Sequence, residues 1–377
     1  MYDETEIKLR VSEQTMNDLR RHPLIIARLC GDWTGGVIYN QYYDSVDRRL
    51  NDARVALRMR RDGDQCIQTL KTRGQSVAGL SVRTEWDWYY DAPQLDLSVL
   101  DAACWPAQLN DLDKTRLLPV FTTDFSRSRA RLLWDYRGQP VEVEVALDQG
   151  KVVAGSREEV ICEVELEIRQ GPVEALLELA CDLAAELPLM PCDISKSERG
   201  YRLFDAASYE LKPALPDWTP ITRVDCVMAD AGWYLLGYIQ RLAEQYRFAR
   251  DPALLRDLSV QLLQLRAFFL LFDRIISRHS VEGLLPPLVR LTDALQSGDD
   301  PALFDARVAD PQWGQLFLNL AAWLHREDWK AGRTSVANGQ GSLTFGGWLR
   351  DSEPAAGANI ADSQHLLQQW LRRTAGI

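Results

Sequence analysis

The sequence predicts an α+β protein in which an eight-stranded antiparallel β-barrel tunnel is followed by an all-α helical bundle. Residues 1–205 contain many short segments that alternate apolar and polar side chains, the period of strands. Residues 220–377 instead repeat apolar side chains at spacings of three and four, the period of helices. Between them, 211–220 has three prolines and no apolar period, which indicates a linker. We therefore expect domains at 1–210 and 220–377.

The predicted elements follow from these periods. Strands are expected at 4–11, 37–43, 53–62, 64–73, 80–89, 127–136, 140–148, 151–154 and 158–169. The segments 61–64 and 148–151 have the composition of hairpin turns. Helices are expected at 12–29, where Pro23 limits the length, and at 96–103, 172–187, 225–246, 252–275, 280–296, 302–327 and 361–374. The Gly- and Ser-rich segment 330–347 is predicted to be a flexible loop.

One face of most predicted strands carries a ladder of charged side chains at i, i+2 spacing. The ladders contain Glu4, Glu6, Lys8 and Arg10; Arg54, Arg58 and Arg60; Thr69, Lys71 and Arg73; Arg83, Glu85 and Asp87; Arg129 and Arg131; Glu142 and Glu144; and Glu163, Glu165 and Glu167. Any single ladder would suit the solvent face of a β-sandwich. However, the helices at 12–29 and 172–187 must cover the apolar faces, and acids and bases segregate by strand. Together these features predict charged faces that converge on the lumen of a barrel.

Such a lumen needs two kinds of ligand. Like charges in close proximity repel unless they are neutralised, so the crowded glutamates require a divalent cation. The arginines and lysines require an anion with several charged oxygens. A polyphosphate bridged to the carboxylates by Mg²⁺ or Mn²⁺ would satisfy both, and this predicts metal-assisted attack of water on a terminal phosphoryl group.

Composition narrows the class of protein. The 377 residues are 46% hydrophobic and 26% charged, with no run of eighteen apolar residues and a charged start, so we expect a cytoplasmic protein without membrane contact. The formal charge of −11 argues against nucleic-acid binding. The seven cysteines form no CxxC pair and the four histidines lie far apart, so any metal should be a hard cation held by carboxylates.

Eight segments then carry a resemblance to a known family. In chain order they are Glu4–Lys8 (ETEIK), Tyr42–Asp44 (YYD), Leu57–Arg60 (LRMR), Thr69–Arg73 (TLKTR), Phe125–Arg129 (FSRSR), Val143–Gly150 (VEVALDQG), Cys162–Glu167 (CEVELE) and Ser195–Tyr201 (SKSERGY). The order and content of these segments resemble the CYTH, or triphosphate tunnel metalloenzyme, family over residues 1 to about 205. The resemblance implies an eight-stranded tunnel that hydrolyses a triphosphate.

The resemblance also implies roles for individual residues. The expected metal ligands are Glu4, Glu6, Glu144, Glu165 and Glu167, and the expected metal is Mg²⁺ or Mn²⁺. The expected substrate-binding residues are Lys8, Arg58, Arg60, Lys71, Arg83, Arg127, Arg129 and Lys196. Glu163 and Lys196 are expected to act in catalysis, Glu163 by positioning water or metal.

The helical half bears on the choice of substrate. The order of the two halves resembles bacterial proteins that pair the tunnel domain with a CHAD helical domain, although residues 220–320 contain a single histidine and 254–259 lack the expected basic ladder. We therefore expect a divergent CHAD-like domain and, from the pairing, inorganic triphosphate as substrate. Thiamine triphosphate, a nucleoside or RNA 5′-triphosphate, ATP cyclisation and a non-catalytic polyphosphate sensor stay open as alternatives, as does the oligomeric state.

Overall fold

The chain divides into two compact units. The computed structural model describes residues 2–72, 74–296, 300–331, 339, 343–351 and 361–376. One unit contains residues 1–176 and 192–210, and the other contains 177–191 and 211–377. Arg73 and most of the predicted loop 330–347 lie outside the described residues.

The first unit is built on a closed sheet. Its strands are β1 (Tyr2–Arg10), β2 (Leu29–Asp44), β3 (Ala56–Asp62), β4 (Gln65–Lys71), β5 (Gln75–Val77), β6 (Leu80–Tyr90), β7 (Leu118–Tyr136), β8 (Gln139–Ala154) and β9 (Arg157–Gln170). Neighbouring strands follow the order β1-β9-β8-β7-β2-β3-β4-β6, and β6 pairs again with β1. All these pairings are antiparallel, so eight strands close into a barrel, as predicted. The short strand β5 forms a hairpin with β6.

Strand β8 corrects the predicted turn at 148–151. The strand runs without a break from Gln139 to Ala154, so this prediction is wrong. A Cβ atom on Gly150 would lie 2.2 Å from the Asp124 carbonyl oxygen and 2.4 Å from the Phe125 Cα atom. Gly150 therefore permits close approach of β7 to β8 instead of reversing the chain. The predicted turn at 61–64 does join β3 to β4, with Gly63 at a φ of +60°.

Short helices surround the barrel: α1 (Glu13–Arg21), α2 (Pro23–Ile26) and α3 (Arg49–Asp52). The Ser12 side chain caps α1 by accepting from the Thr15 amide. The predicted helix 12–29 breaks before Pro23, whose ring nitrogen has no hydrogen to donate, and residues 29–36 join β2 instead. The predicted helix 96–103 is wrong, because only a 3₁₀ turn at Leu97–Val99 forms there.

The apolar faces of the strands point outward into packed layers. Ile7 and Leu9 of β1 and Leu166 of β9 are fully buried, and α1 packs against β9. Another apolar cluster lies outside β3 and β4 and contains Leu50, Val55, Leu57, Leu70, Leu100, Trp105 and Leu109. Because successive side chains of a strand point to opposite faces, the charged ladders face the lumen.

The remaining helices are α4 (Val173–Ala184), at the boundary of the two units, and α5 (Lys196–Phe204) in the first unit. The second unit contains the two-residue strand β10 (Met190–Pro191) and helices α6 (Val224–Ala249), α7 (Pro252–Leu271), α8 (Leu285–Leu295), α9 (Pro301–Val308), α10 (Pro311–His325), α11 (Phe345–Asp351) and α12 (Ala361–Thr374). The predicted helix 302–327 is two helices, because the Asp310 side chain caps a new helix that begins at Pro311. None of the helices in the described part of the chain is long and apolar enough to cross a membrane.

Candidate functional site

The barrel register brings the predicted acidic residues together on adjacent strands. Glu144 of β8 lies directly opposite Glu167 of β9, which in turn lies opposite Glu6 of β1. Like charges on directly opposing positions destabilise a sheet unless they are neutralised. We call the set Glu4, Glu6, Glu144, Glu165 and Glu167 the acidic wall.

The cations lie on the other strands of the lumen. Arg58 and Arg60 belong to β3, Lys71 to β4 and Arg127 to β7, and we call these four residues the basic wall. Lys71 Nζ lies 2.5 Å from Glu4 Oε2 and 2.6 Å from Glu85 Oε2. These contacts show that side chains of β1, β4 and β6 meet inside the barrel.

Two carboxyl groups of the acidic wall, those of Glu167 and Glu6, have raised pKa values. Burial raises the pKa of Glu167 to about 8, and the charges of Glu4, Glu6 and Glu144 add to this rise although Arg169 opposes it. Burial likewise raises the pKa of Glu6, against the nearby ammonium of Lys8. Arg169 pairs with both Glu167 (2.5 Å) and Glu144 (3.3 Å) at the edge of the wall. A carboxyl group that keeps its proton near neutral pH, as Glu167 does, fits a site at which a hard divalent cation would replace the proton.

A second acidic group lies deeper in the lumen and already holds a cation. One carboxylate oxygen from each of Asp148, Glu163 and Glu165 lies within 4.8 Å of the others, a spacing that a metal could bridge. However, Lys196 Nζ lies 2.6 Å from Asp148 and 2.9 Å from Glu165, and it also ion-pairs with Glu163. The Lys196 ammonium thus lies among these three carboxylates.

The deeper carboxylates are held in their charged form. Burial raises the pKa of Glu163, but Arg199 and Lys196 outweigh burial and lower that pKa to about 2. The pKa of Glu165 is lowered well below its usual range, because Lys196, Arg127 and Lys8 together outweigh burial. Both groups are therefore weak bases.

Helix α5 fixes Lys196 in place. Ser195 and Glu198 form a capping box, so the helix begins at Lys196. A Cβ atom on Gly200 would lie 2.1 Å from the Phe121 ring, so the absence of a side chain there lets α5 approach β7. One turn of helix brings Arg199 to Glu163, and both side chains are fully buried.

Two further contacts hold α5 against the barrel. Arg202 pairs with Glu159 at 2.9 Å, and the Tyr201 hydroxyl donates to Asp44 Oδ2 at 2.7 Å. Asp44 also accepts from the backbone amides of Ser45, Leu50 and Asn51. The YYD segment thus anchors the helix that carries Lys196.

The remaining predicted substrate-binding residues, Lys8, Arg83 and Arg129, lie at different places along the barrel. Lys8 Nζ lies 3.0 Å from Glu6 inside the barrel, and Arg83 lies 3.7 Å from Glu198 of α5. Arg129 lies at the exposed end of the lumen, where it contacts Asp62 at 3.5 Å.

Among the described members of the predicted ladders, Arg54 and Arg131 are exposed to solvent. Arg54 precedes β3 in a left-handed conformation, with a φ of 55°, and pairs with exposed Glu210. Arg131 is largely exposed and pairs with Glu142 at 2.8 Å. The i, i+2 spacing therefore placed Arg54 wrongly, since it lies outside the strand, whereas Arg131 does share a face of β7 with Arg127 and Arg129 but lies in an exposed part of the strand.

Several lumen residues were missed by the sequence prediction of sites. Asp148 was assigned to a turn, although it continues the i, i+2 series of β8 from Glu144. Arg199 and Arg202 follow Lys196 at intervals of three, a helical spacing that could have indicated a shared face of α5. Glu85 lies on a predicted ladder and contacts both Lys71 and Arg58.

These features define the class of the protein, a closed antiparallel β-barrel in which carboxylates and cations line the lumen. Comparison with known proteins identifies the family within this class. Residues 3–201 match the CYTH domain, and the chain therefore belongs to the CYTH family.

Individual relatives match part of the chain. The chain is 31% identical over 218 residues to an inorganic triphosphatase of Haemophilus influenzae, and the match spans 58% of each protein. A solved Hippeastrum structure, reported to reveal a dominant triphosphatase activity, is 20% identical, covers 55% of this chain and 97% of its own, and has a TM-score of 0.38. The Mimivirus capping enzyme triphosphatase is 8% identical, covers 48% and 88%, and has a TM-score of 0.28.

Proposed function

We propose that this protein hydrolyses inorganic triphosphate to pyrophosphate and phosphate in a reaction that depends on Mg²⁺ or Mn²⁺. The observation that carries the proposal is that the acidic wall and the basic wall share one enclosed lumen. A polyphosphate needs cations around its oxygens, and a metal bridging it to carboxylates would neutralise the acidic wall. The similarity to a bacterial inorganic triphosphatase supports the choice of substrate.

The acidic wall supplies the metal ligands of the proposal. Glu6, Glu144 and Glu167 lie opposite one another on adjacent strands, and Glu4 is on the same face of β1 as Glu6. Glu165 lies beside them but is paired with three cations, so it would contribute only after one of those ion pairs opens. Carboxylates without histidine or cysteine suit Mg²⁺ or Mn²⁺. When bound, the ion would act as a Lewis acid that withdraws charge from the phosphate oxygens.

The basic wall binds the phosphate oxygens in the proposal. Arg58 contacts Glu85 at 3.5 Å, a long contact that a phosphate could replace at little cost. Arg127 offers a rigid guanidinium fork, now engaged by Asp148 at 2.7 and 2.6 Å. Lys8, Arg83 and Arg129 are proposed to assist, Lys8 from within the lumen and Arg129 from its exposed end.

The chemical step is a displacement at the terminal phosphorus. The oxygen of a water molecule forms a bond to this phosphorus, the bridging P–O bond breaks, and the electron pair leaves with pyrophosphate. The protons of the water pass to the phosphate product. The buried cations stabilise the charge that moves onto the leaving oxygen. Because Glu163 has a pKa of about 2, we propose that it holds Lys196 and Arg199 in place and does not accept the proton.

A phosphate-release assay tests the proposal. We expect turnover of inorganic triphosphate with Mg²⁺ or Mn²⁺ and none with a chelator, and slower turnover of ATP, thiamine triphosphate and pyrophosphate. A Glu6→Gln variant should lose at least a hundredfold in kcat, about 2.7 kcal/mol of barrier, because it removes a metal ligand without a change of shape. The matched control is Glu158→Gln, an exposed glutamate of β9. Metal-independent turnover, or full activity of Glu6→Gln, would refute the assignment.

The assay also separates the alternative functions. Preferred hydrolysis of an organic triphosphate would identify that compound as the substrate instead, and formation of cyclic AMP from ATP would identify a cyclase. Binding of triphosphate without turnover would favour a sensor. The divergent CHAD-like role of residues 220–377 and the cytoplasmic location stay predictions.

A further inference from the structure

Three polar residues lie side by side on the lumen face of β3, β2 and β7. Asn40 is paired in register with Arg60 of β3 on one side and with Thr123 of β7 on the other. Arg60 Nε donates to Asn40 Oδ1 at 2.9 Å, and Asn40 Nδ2 lies 2.8 Å from Thr123 Oγ1. Asn40 and Thr123 are both fully buried. The three side chains therefore form one hydrogen-bonded row across three strands.

The direction of this row is fixed by chemistry. A guanidinium has only donors, so the amide oxygen of Asn40 must face Arg60 and the amide nitrogen must face Thr123. The Thr123 oxygen then accepts from Asn40 Nδ2. The single amide of Asn40 thus uses its acceptor for Arg60 and one of its donors for Thr123.

Arg60 differs from the rest of the basic wall in its partners. Arg58, Lys71 and Arg127 each contact at least one carboxylate. Within the described ranges of the chain, Arg60 has no carboxylate partner and instead donates a hydrogen bond to the neutral amide of Asn40. Burial, followed by repulsion from Arg58 and Arg127, lowers the pKa of Arg60 to about 10.

The Asn40 contact also decides which atoms of Arg60 can meet a ligand. The Nε hydrogen is engaged by Asn40. The four hydrogens on the two Nη atoms remain for a planar, two-pronged contact with phosphate oxygens. If the Asn40 amide were absent, the guanidinium could rotate about its side chain and this alignment would be lost.

We infer that Asn40, supported by Thr123, is a positioning residue that aims the Arg60 guanidinium at a phosphate group of the substrate. The inference deepens the proposed function and rests on it, because the phosphate that Arg60 meets is part of the proposed triphosphate. Asn40 touches no reacting atom; its effect passes through Arg60. Because the row already orders the Arg60 guanidinium in the free protein, less conformational entropy is lost when the anion binds.

The first measurement is binding. Inorganic triphosphate is titrated calorimetrically into the full chain in the presence of a chelator, so that no turnover occurs. We expect Asn40→Leu to weaken binding by about tenfold, since it removes the acceptor that holds Nε. Thr123→Val should weaken binding by a smaller factor, and Thr123→Ser, which keeps the hydroxyl, should restore it. The matched controls are Gln41→Leu and Thr122→Val, the adjacent residues on the opposite faces of β2 and β7.

The second measurement is a double-mutant cycle with Arg60→Ala. If Asn40 acts through Arg60, Asn40→Leu should have almost no further effect on triphosphate affinity in the Arg60→Ala background. With Mg²⁺ present, Asn40→Leu should raise KM with little change in kcat. A residue with a merely structural role would instead show additive losses and no rescue by Thr123→Ser.

The outcomes separate this inference from the proposed function. If the wild-type protein binds and hydrolyses triphosphate while Asn40→Leu matches it in affinity, or if the cycle is additive, the inference is refuted and the proposed function stands. If the wild-type protein neither binds nor hydrolyses triphosphate, both are refuted. Loss of affinity in Asn40→Leu with an unchanged melting temperature would support the inference.

Discussion

Replacement of Lys196 by methionine tests how much this ammonium stabilises the carboxylates around it. The Lys196 ammonium contacts three buried or nearly buried carboxylates, those of Asp148, Glu163 and Glu165. Lys196→Met keeps most of the side-chain volume and removes the charge. The variant therefore leaves three neighbouring carboxylates with fewer cations among them, and the barrel should lose stability.

The size of the loss follows from the pKa of Glu163. Its lowering from 4.5 to about 2 corresponds to about 3 kcal/mol of favourable interaction in the folded state. Arg199 provides the larger part of this interaction and remains in Lys196→Met, but Asp148 and Glu165 also lose the Lys196 ammonium, and breaking one partner of a buried ion pair costs roughly 3–5 kcal/mol. We therefore expect a loss of about 3 kcal/mol at pH 7. A carboxyl group with a lowered pKa stabilises the fold above its unfolded pKa, so the stability provided by Glu163 declines as pH falls toward 2.

Hydrogen exchange is the suitable assay, because a global unfolding signal would mix the two units of the chain. Amides of β8 and β9 report on the barrel alone, and a loss of about 3 kcal/mol should speed their exchange on the order of a hundredfold at pH 7. Lys151→Met is the matched control: Lys151 is half exposed and pairs with exposed Glu158, so about 1 kcal/mol or less is expected. Exchange rates in Lys196→Met within a factor of three of wild type would refute the reasoning.

Two further predictions concern the metal and helix α5. Between pH 4.5 and 8 the folded protein holds a proton on Glu167 that the unfolded chain has released, so the metal-free barrel should lose stability as pH rises through this window. Because Mg²⁺ must displace that proton, Mg²⁺ binding should strengthen as pH rises. The increase in melting temperature on adding Mg²⁺ should therefore grow from pH 6 to 8 and then level off. The same pH-dependent increase in Glu167→Gln would contradict this reasoning. Gly200→Ala should destabilise α5 by roughly 1–3 kcal/mol, because the added methyl group overlaps the Phe121 ring. Limited proteolysis should show faster cleavage near α5 than in Gly283→Ala, where the methyl group meets open space; equal rates would argue against tight packing at Gly200.

The closed barrel could be predicted from sequence because its signal is repeated. Each strand has the same alternation, and the charged ladders of separate strands are explained together only if they face one lumen. The acidic residues Glu6, Glu144 and Glu167 lie at adjacent positions because the i, i+2 rule holds inside each strand and the register aligns the strands.

The sequence could not reveal where a strand ends or how close two backbones approach. Gly150 has the composition of a turn residue, and only the contact with β7 shows that it lies in mid-strand. Arg54 follows the alternation of β3 but precedes the strand in a left-handed conformation. Asn40 and Thr123 carry no charge and gave no signal, since their importance comes from the pairing of β2 with both neighbours.

The paired state of the lumen has a consequence for selectivity. Lys71 is held by Glu4 and Glu85, and Arg127 by Asp148 and Glu165, so an incoming anion must compete with carboxylates already in contact. A monovalent anion offers too little charge to displace two carboxylates from one cation, whereas a condensed phosphate engages several cations at once. Chloride should therefore be a poor competitor, and orthophosphate, which has fewer charged oxygens than triphosphate, should inhibit only weakly.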